Sequence, residues 1–180
     1  MIAEAAWQEF SLRKVLFIPS GDTPNKDMHH IDKNIRYAMV EKAIEGNGHF
    51  LISPIERDRQ GPSYTVDTIR ILQREFGDDY EFYFICGTDA VADLPTWKYN
   101  RELLSACHFI CASRPGNENE IQKSIDYFGE LGREKIHFLK TPELAISSTI
   151  LREWIAEKRS VRYLIPDAVI DMIRSNKLYE

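Results

Sequence analysis

The chain has 180 residues, an apolar content of 43% and a formal net charge of −5, which fits one domain, residues 1–180, with a full hydrophobic core. Nine Gly and eight Pro exclude a fibrous or low-complexity chain, and no apolar run approaches the roughly 20 residues that span a bilayer. The acidic balance argues against a general nucleic-acid partner, although a few local cations suffice for an anionic ligand.

Three cysteines lie in or near apolar runs, namely Cys86, Cys107 and Cys111. No two of them have the spacing of a metal site, and no signal peptide follows Met1. We therefore predict reduced thiols in or near the core of a cytoplasmic protein that has no resident metal.

Short apolar runs rich in Phe, Ile, Val and Tyr predict β-strands. Several runs are apolar at consecutive positions, as in strands that are covered on both faces of a parallel sheet. The predicted strands are 15–18, 50–53, 81–86, 108–112 and 135–139.

The stretches between these strands have helical spacing of apolar residues. One further helix is expected between the third and fourth strands, and Pro166 suits a first helical position. This alternation predicts an α/β fold, a Rossmann-like open and mostly parallel sheet with flanking helices in 1–145 and a short helical part in 146–180. The predicted helices are 2–12, 34–45, 66–76, 119–131, 149–158 and 166–175.

The first predicted helix, 2–12, lacks the features that begin the later ones. No Ser, Thr, Asp or Asn precedes it to cap its first amides, and no strand precedes it either. It is either a frayed terminal helix or the remainder of a unit whose strand and phosphate-side turn are absent.

Gly87 and Asp89 lie at the end of the third predicted strand. Ligands of open α/β sheets bind at the carboxyl ends of the strands, where Gly87 permits close approach and Asp89 accepts hydrogen bonds from ribose hydroxyls. Trp97 follows in the next loop, and its indole is either a stacking face for a flat ring or part of the packed core.

Two further loops carry candidate anion-binding groups. The hydroxyl of Thr65 suits a helix cap, and the amides there favour a carboxylate or phosphate, with capping alone as the alternative. Lys26 either meets an anion or is solvated, and the adjacent His29 and His30 are a poor pair for holding one metal ion.

The segment 146–152 places hydroxyls and a guanidinium at a helix start. Ser147, Ser148 and Thr149 begin the helix, and Arg152 follows about one turn further in. Amides, hydroxyls and guanidinium would converge on one anion, for which a triphosphate is the natural candidate. Simple helix capping is the alternative.

Taken in order, these segments resemble one family, the bacterial nicotinate-nucleotide adenylyltransferases in the nucleotidyltransferase group of α/β proteins. The resemblance extends over nearly all 180 residues. It also includes Arg36 with Met39. The matching segments are 17–21, 63–68, 87–89, 97, 114–116, 146–152, 163–166 and 178–179.

The family joins ATP to nicotinate mononucleotide, giving deamido-NAD and pyrophosphate in NAD biosynthesis, with Mg²⁺ accompanying the ATP. The resemblance implies that Trp97 stacks on the nicotinate ring while backbone amides receive its carboxylate, and it implies catalytic roles for Lys26 and Arg152. The residues implied for nicotinate mononucleotide are Tyr64, Thr65, Trp97 and Tyr99, and those implied for ATP are Gly87, Asp89, Ser147, Ser148, Thr149 and Arg152.

The chain departs from the family at two places. The family begins with a strand, a Gly-Gly-Thr-Phe-Asp-Pro loop and a His-x-Gly-His motif that have no counterpart here, and Asn25 replaces the usual His before Lys26. The absent strand is central in a 3-2-1-4-5 order, so the strands 15–18 and 81–86 would each have unpaired backbone groups. We expect a truncated or misassigned chain start, or a slot filled by another chain or a swapped segment.

Two alternatives to this enzyme stay open from the sequence. One is a non-catalytic nucleotide-binding module. The other is a sibling adenylyltransferase acting on another phosphate such as phosphopantetheine. The nicotinate-like features at 63–68 and at Trp97 argue against this second alternative. The absence of a nucleophile elbow excludes a serine hydrolase. A homo-oligomer is also left open.

Overall fold

The computed structural model describes residues 1–21, 31–113, 118–141 and 146–179. All the predicted strands are present in it, with small shifts at their ends. The strands are β1 (Val15–Phe17), β2 (Phe50–Ile52), β3 (Tyr83–Gly87), β4 (His108–Ser113) and β5 (Ile136–Lys140). The helices are α1 (Ile2–Glu9), α2 (Lys33–Ile44), α3 (Thr65–Phe76), α4 (Thr88–Asp93), α5 (Asn100–Ala106), α6 (Glu118–Phe128), α7 (Glu130–Lys135), α8 (Ser148–Ala156) and α9 (Asp167–Ser175).

All strand pairs in the described residues are parallel, which confirms the predicted pairing. β1 pairs with β2, with Leu16 opposite Leu51. β4 lies between β3 and β5, so that Ile110 is opposite Ile85 on one side and His137 on the other. The described strands thus form a two-stranded sheet, β1–β2, and a three-stranded sheet, β3–β4–β5. The predicted 3-2-1-4-5 order without its first strand accounts for only two pairs, so β5 is one strand more than that order contains.

The chain divides into two compact units. The first unit comprises Met1–Arg13 and Ser63–Glu143, and the second comprises Lys14–Pro62 and Leu144–Glu180. The first therefore contains the three-stranded sheet and the second contains the two-stranded sheet. The single domain of 1–180 stays a prediction.

The core of the first unit is built around β4. Phe109 and Ile110 are fully buried there, and Ala6 of α1 packs with Leu139 of β5 against Ile110. α3 turns one apolar face inward and buries Val66, Thr68, Ile69 and Leu72. These contacts pack α1 against β4 and β5 in the core of the first unit.

The cysteines of this core are unpaired thiols, as predicted. Cys107 and Cys111 are buried and Cys86 is half-buried. Burial raises the pKa of Cys86 and of Cys107 to about 12, and that of Cys111 to about 11. All three are therefore protonated at neutral pH.

The second unit packs helices α2 and α9 together. Asp32 caps α2, since its carboxylate accepts hydrogen bonds from the amides of Asn34 at 2.8 Å and Ile35 at 3.4 Å. α9 buries Val169 and Ile170. In the described ranges no helix is both long enough and apolar enough to cross a bilayer.

Three helices differ from their predicted bounds for identifiable reasons. The segment 119–131 is divided into α6 and α7 at Gly129, whose φ of 66° ends the first helix. Pro166 caps α9 rather than opening it, because its ψ of 140° is extended. The helix expected between the third and fourth strands consists of α4, a 3₁₀ turn at Leu94–Thr96, and α5.

Candidate active site

The predicted ligand edge lies where β3 ends at Gly87 and α4 begins. Among the residues that the structure describes, a methyl group at Gly87 would meet no atom within 4 Å apart from its chain neighbours. Asp89 is exposed in the first turn of α4. Within the described residues its carboxylate makes no hydrogen bond or ion pair, so it can accept hydrogen bonds from a ligand.

Trp97 lies just after the 3₁₀ turn and is half-buried. Its amide donates to the carbonyl of Leu94 at 3.0 Å, and its indole meets Phe84 edge to face, with 6.1 Å between ring centroids. The packing alternative is therefore present in part, because one edge of the ring supports the sheet. Stacking of a ligand on the indole stays a prediction.

The prediction that the Thr65 hydroxyl caps α3 is wrong. Thr65 is already the first helical residue, and the cap position belongs to Tyr64, whose backbone is extended and whose side chain makes no capping hydrogen bond. A phenol on a long ring cannot turn back to accept from the first amides, as a Ser or Asp would. The start of α3 thus retains the positive end of its dipole without a side-chain cap.

The rings of Tyr64 and Tyr99 both lie near the ammonium of Lys98, which is not among the predicted site residues. The ammonium of Lys98 is 4.9 Å from the ring centroid of Tyr64 and 5.2 Å from that of Tyr99. Tyr99 has a left-handed backbone with φ of 59°, which turns the chain between Trp97 and α5. We refer to Tyr64, Lys98 and Tyr99 as the tyrosine–lysine cluster.

In the second unit, the start of α8 combines a cap with a folded-back guanidinium. The hydroxyl of Ser147 accepts a hydrogen bond from the Ile150 amide at 3.1 Å. Arg152 donates to the Ser148 carbonyl at 3.0 Å and to its hydroxyl at 2.8 Å. Thr149 is exposed beside them. Capping therefore occupies Ser147, while Ser148 orients the guanidinium at the helix start.

Arg36, which belongs to the resemblance described above, binds the start of the segment after β1. Its guanidinium donates to the carbonyls of Ser20 at 2.7 Å and Gly21 at 3.0 Å, and its Nε donates to that of Ile31 at 3.3 Å. Lys26 follows this loop but, like Asn25, His29, His30 and the segment 114–116, lies outside the described residues.

The predicted site residues are thus distributed over both units. Tyr64, Thr65, Gly87, Asp89, Trp97 and Tyr99 belong to the first unit, and Ser147, Ser148, Thr149 and Arg152 belong to the second. Within the first unit the structure brings Tyr64 and Tyr99 together through Lys98, and within the second it brings Arg152 to Ser148.

Comparison with known proteins identifies relatives whose sequences align with nearly the whole chain. The model of the cytidylyltransferase-like family matches residues 1–154. A Moorella thermoacetica protein described as a probable nicotinate-nucleotide adenylyltransferase is 44% identical over 179 residues, which are 98% of this chain and 82% of the relative. A Thermoanaerobacter protein with the same description is 42% identical over 180 residues, 99% of this chain and 85% of the relative.

Solved structures confirm the predicted fold class. Plasmodium falciparum nicotinic acid mononucleotide adenylyltransferase complexed with NaAD has a TM-score of 0.73 at 19% identity, with 99% of this chain and 90% of that one covered. The same enzyme complexed with APC has a TM-score of 0.71 at equal coverage. With the sequence matches above, these place the chain among the nicotinate-nucleotide adenylyltransferases of the cytidylyltransferase-like family.

Proposed function

We propose that the chain transfers the adenylyl group of ATP to nicotinate mononucleotide, giving deamido-NAD and pyrophosphate. The observation that carries the proposal is the open strand end at Gly87 and Asp89 in a chain 44% identical to a relative described by this activity. Open α/β sheets bind their ligands at such ends.

The reaction requires alignment rather than a covalent enzyme intermediate. A phosphate oxygen of the mononucleotide attacks the α-phosphorus of ATP, the bond from that phosphorus to the bridging oxygen breaks, and the electron pair leaves with pyrophosphate. Holding both reactants in line can contribute on the order of 7–11 kcal/mol in favourable cases. The chain therefore needs binding groups and charge at the right places more than it needs a nucleophile.

In the first unit, we assign Trp97 and Tyr99 to the nicotinate ring and the amides after Tyr64 to its carboxylate, with Thr65 beside them. Gly87 allows the adenylyl group to approach the strand end, and Asp89 accepts hydrogen bonds from its ribose. The uncapped start of α3 supports the carboxylate assignment, because a helix start favours a negative group.

In the second unit, we assign the start of α8 to the phosphates of ATP. Exposed amides and hydroxyls at Ser147, Ser148 and Thr149 precede a guanidinium that Ser148 already holds at the helix start. A guanidinium in this position donates charge-assisted hydrogen bonds to phosphate oxygens and stabilises the charge on departing pyrophosphate. We assign Lys26 to the same role, the neutralisation of negative charge on the phosphates.

Mg²⁺ is proposed to enter on the triphosphate. Among the described residues no three His, Cys, Asp or Glu side chains cluster as ligands of a resident ion. Mg²⁺ commonly keeps several waters and is held by substrate phosphates with one or two carboxylates. When bound, the ion would neutralise phosphate charge.

The test measures pyrophosphate release by the full chain with ATP, Mg²⁺ and either nicotinate mononucleotide or phosphopantetheine. We expect release with nicotinate mononucleotide alone. Arg152→Ala should lower kcat/KM roughly 10–100-fold, the effect of a lost charge-assisted hydrogen bond. Arg174→Ala removes an exposed arginine from α9 and should leave the rate unchanged.

Two outcomes would contradict the proposal. Turnover of phosphopantetheine in place of nicotinate mononucleotide would make the chain a sibling adenylyltransferase. A folded chain that binds deamido-NAD but releases no pyrophosphate with either acceptor would be a non-catalytic nucleotide-binding module.

A further inference from the structure

The tyrosine–lysine cluster holds a positive charge near the proposed nicotinate site. The ammonium of Lys98 lies within 5.2 Å of the ring centroids of both Tyr64 and Tyr99, where the electron-rich ring faces attract it. Lys98 is exposed, so a ligand can reach it. The two rings restrict the position of a side chain that would otherwise be free to move through solvent.

The acidic groups beside the cluster are already paired with another cation. Arg70 donates to Asp67 at 2.9 Å and, through Nε, to Glu102 at 2.8 Å. The same guanidinium lies 5.7 Å from the ring centroid of Tyr99. Within the part of the chain that the structure describes, Lys98 has no acidic partner, so its charge is available to an anionic ligand.

The neighbouring start of α3 also favours a negative group. Tyr64 is the cap residue of this helix and its side chain makes no capping hydrogen bond, and the buried hydroxyl of Ser63 has no hydrogen-bond partner among the described residues. A ligand that lies against Tyr64 therefore meets the ammonium of Lys98 together with the positive end of a helix.

We propose that Lys98 is a specificity-determining residue that selects the acid form of the mononucleotide over the amide form. This inference rests on the proposed function. The nicotinate carboxylate carries a full negative charge that pairs with the ammonium, whereas the carboxamide is neutral and gains nothing from it. Tyr64 and Tyr99 position the ammonium through their ring faces. Because the pair is exposed, the expected discrimination from Lys98 is about fivefold.

The test compares the affinities of nicotinate and nicotinamide mononucleotide for the full chain by calorimetry. Both ligands carry the same phosphate, so their ratio isolates the ring substituent. In Lys98→Gln the affinity for the acid should fall about fivefold while the affinity for the amide stays unchanged. Lys98→Arg should preserve the ratio, and Lys123→Gln, at an exposed lysine of α6, should not alter either affinity.

The salt dependence of ligand affinity provides a second test of the role of the Lys98 charge. Raising the salt concentration should weaken binding of the acid more than that of the amide in the original chain, and this difference should shrink in Lys98→Gln. Equal loss of both affinities in Lys98→Gln, or no change in either, would overturn the inference. Failure of the proposed function gives a different result, since the unchanged chain would then release no pyrophosphate from ATP and nicotinate mononucleotide.

Discussion

The polar side chains at the two ends of the β3–β4–β5 sheet differ in how far they are paired with one another. At the amino end, Tyr83 stacks on His108 with 4.8 Å between centroids, and His108 stacks on His137 with 5.1 Å. At the carboxyl end, no described residue approaches the position of a Cβ at Gly87 within 4 Å, and Asp89 is exposed. The same three strands thus begin in a closed side-chain cluster and end at an accessible edge.

At this amino end, Lys135, His108 and His137 form a series of hydrogen bonds, and the first donor determines the direction of the others. The ammonium of Lys135 can only donate, and it lies 3.0 Å from Nε2 of His108. That nitrogen must accept, so Nδ1 of His108 carries the proton and donates to Nε2 of His137 at 2.8 Å. Both imidazoles are therefore neutral. Nε2 of His108 is occupied by Lys135, and Nδ1 of His108 is hydrogen-bonded to Nε2 of His137.

The comparison indicates which end of the sheet is the candidate for ligand binding. Histidines draw attention as catalytic candidates, yet His108 and His137 are occupied with internal partners and stacking. The accessible groups are a glycine and a single carboxylate that the packing leaves free of hydrogen bonds and ion pairs among the described residues. Unused polar groups, rather than reactive residue types, mark the candidate ligand edge.

The largest expected effect comes from closing the open end. Gly87→Leu places a side chain in the space beyond β3, while its φ of −88° is accessible to any residue. We expect the melting temperature to be maintained and kcat/KM to fall about 100-fold, since small misplacements of reactants have effects of this size. Unchanged turnover would show that the adenylyl group does not approach Gly87.

Gly132 in α7 provides the matched control for that substitution. A Cβ there would lie 2.5 Å from the carbonyl oxygen of Ile125, so Gly132→Ala forces the backbone to move. This variant should lower the free energy of unfolding by about 1–3 kcal/mol and leave the rate per folded molecule intact. Thermal unfolding and turnover measured together distinguish the two glycines.

A smaller effect is expected from the support behind the open end. The hydroxyl of Ser124 in α6 is buried and donates to the Val91 carbonyl of α4 at 2.8 Å. Ser124→Ala should lower the free energy of unfolding by about 1.5 kcal/mol, measured by urea titration. A neutral result would mean that α4, and with it Asp89, is held by apolar packing alone.

The smallest effect belongs to the closed end and depends on pH. Burial lowers the pKa of His108 and of His137, and the charge of Lys135 lowers both further, while Glu81 and Glu134 partly oppose the shift at His108. The folded chain then binds these protons less tightly than the unfolded chain. Stability is therefore complete above the unfolded pKa of 6.5 and declines as the pH falls below it towards the folded values.

Replacing both histidines with Phe keeps the rings and removes the titration. Between pH 7 and pH 5 the melting temperature of the original chain should fall about 2–4 °C more than that of the His108→Phe, His137→Phe variant, which is the size expected for one lost hydrogen bond in a chain of this length. Identical pH profiles would show that the closed end does not sense protons.

The fold was largely predictable because the buried parallel strands have a distinctive composition. Consecutive apolar residues such as Phe109 and Ile110 in β4 indicate coverage on both faces, and the helical spacing between the strands completes the pattern. Helix breaks were harder, because the left-handed turn at Gly129 interrupts a stretch whose apolar spacing continues. The extended backbone of Pro166 likewise depends on how the preceding segment enters α9.

The candidate site was predictable where a local motif carries it. The Ser147 cap and the helix start around it follow from adjacent residues, and the open end at Gly87 follows from its place after a strand. Lys98 and Arg36 were not among the predicted site residues, because each has a partner that is distant in sequence. Lys98 meets Tyr64 and Arg36 meets Ser20, and no local spacing indicates such contacts.

Nucleotide should bind at the carboxyl end of the three-stranded sheet and not at its amino end. Amide chemical-shift mapping of the full chain during a titration with deamido-NAD tests this most directly. We expect the amide signals of Gly87, Asp89 and Trp97 to shift with the ligand while those of His108 and His137 keep their positions. Shifts concentrated at the two histidines, with none at Gly87 or Asp89, would contradict it.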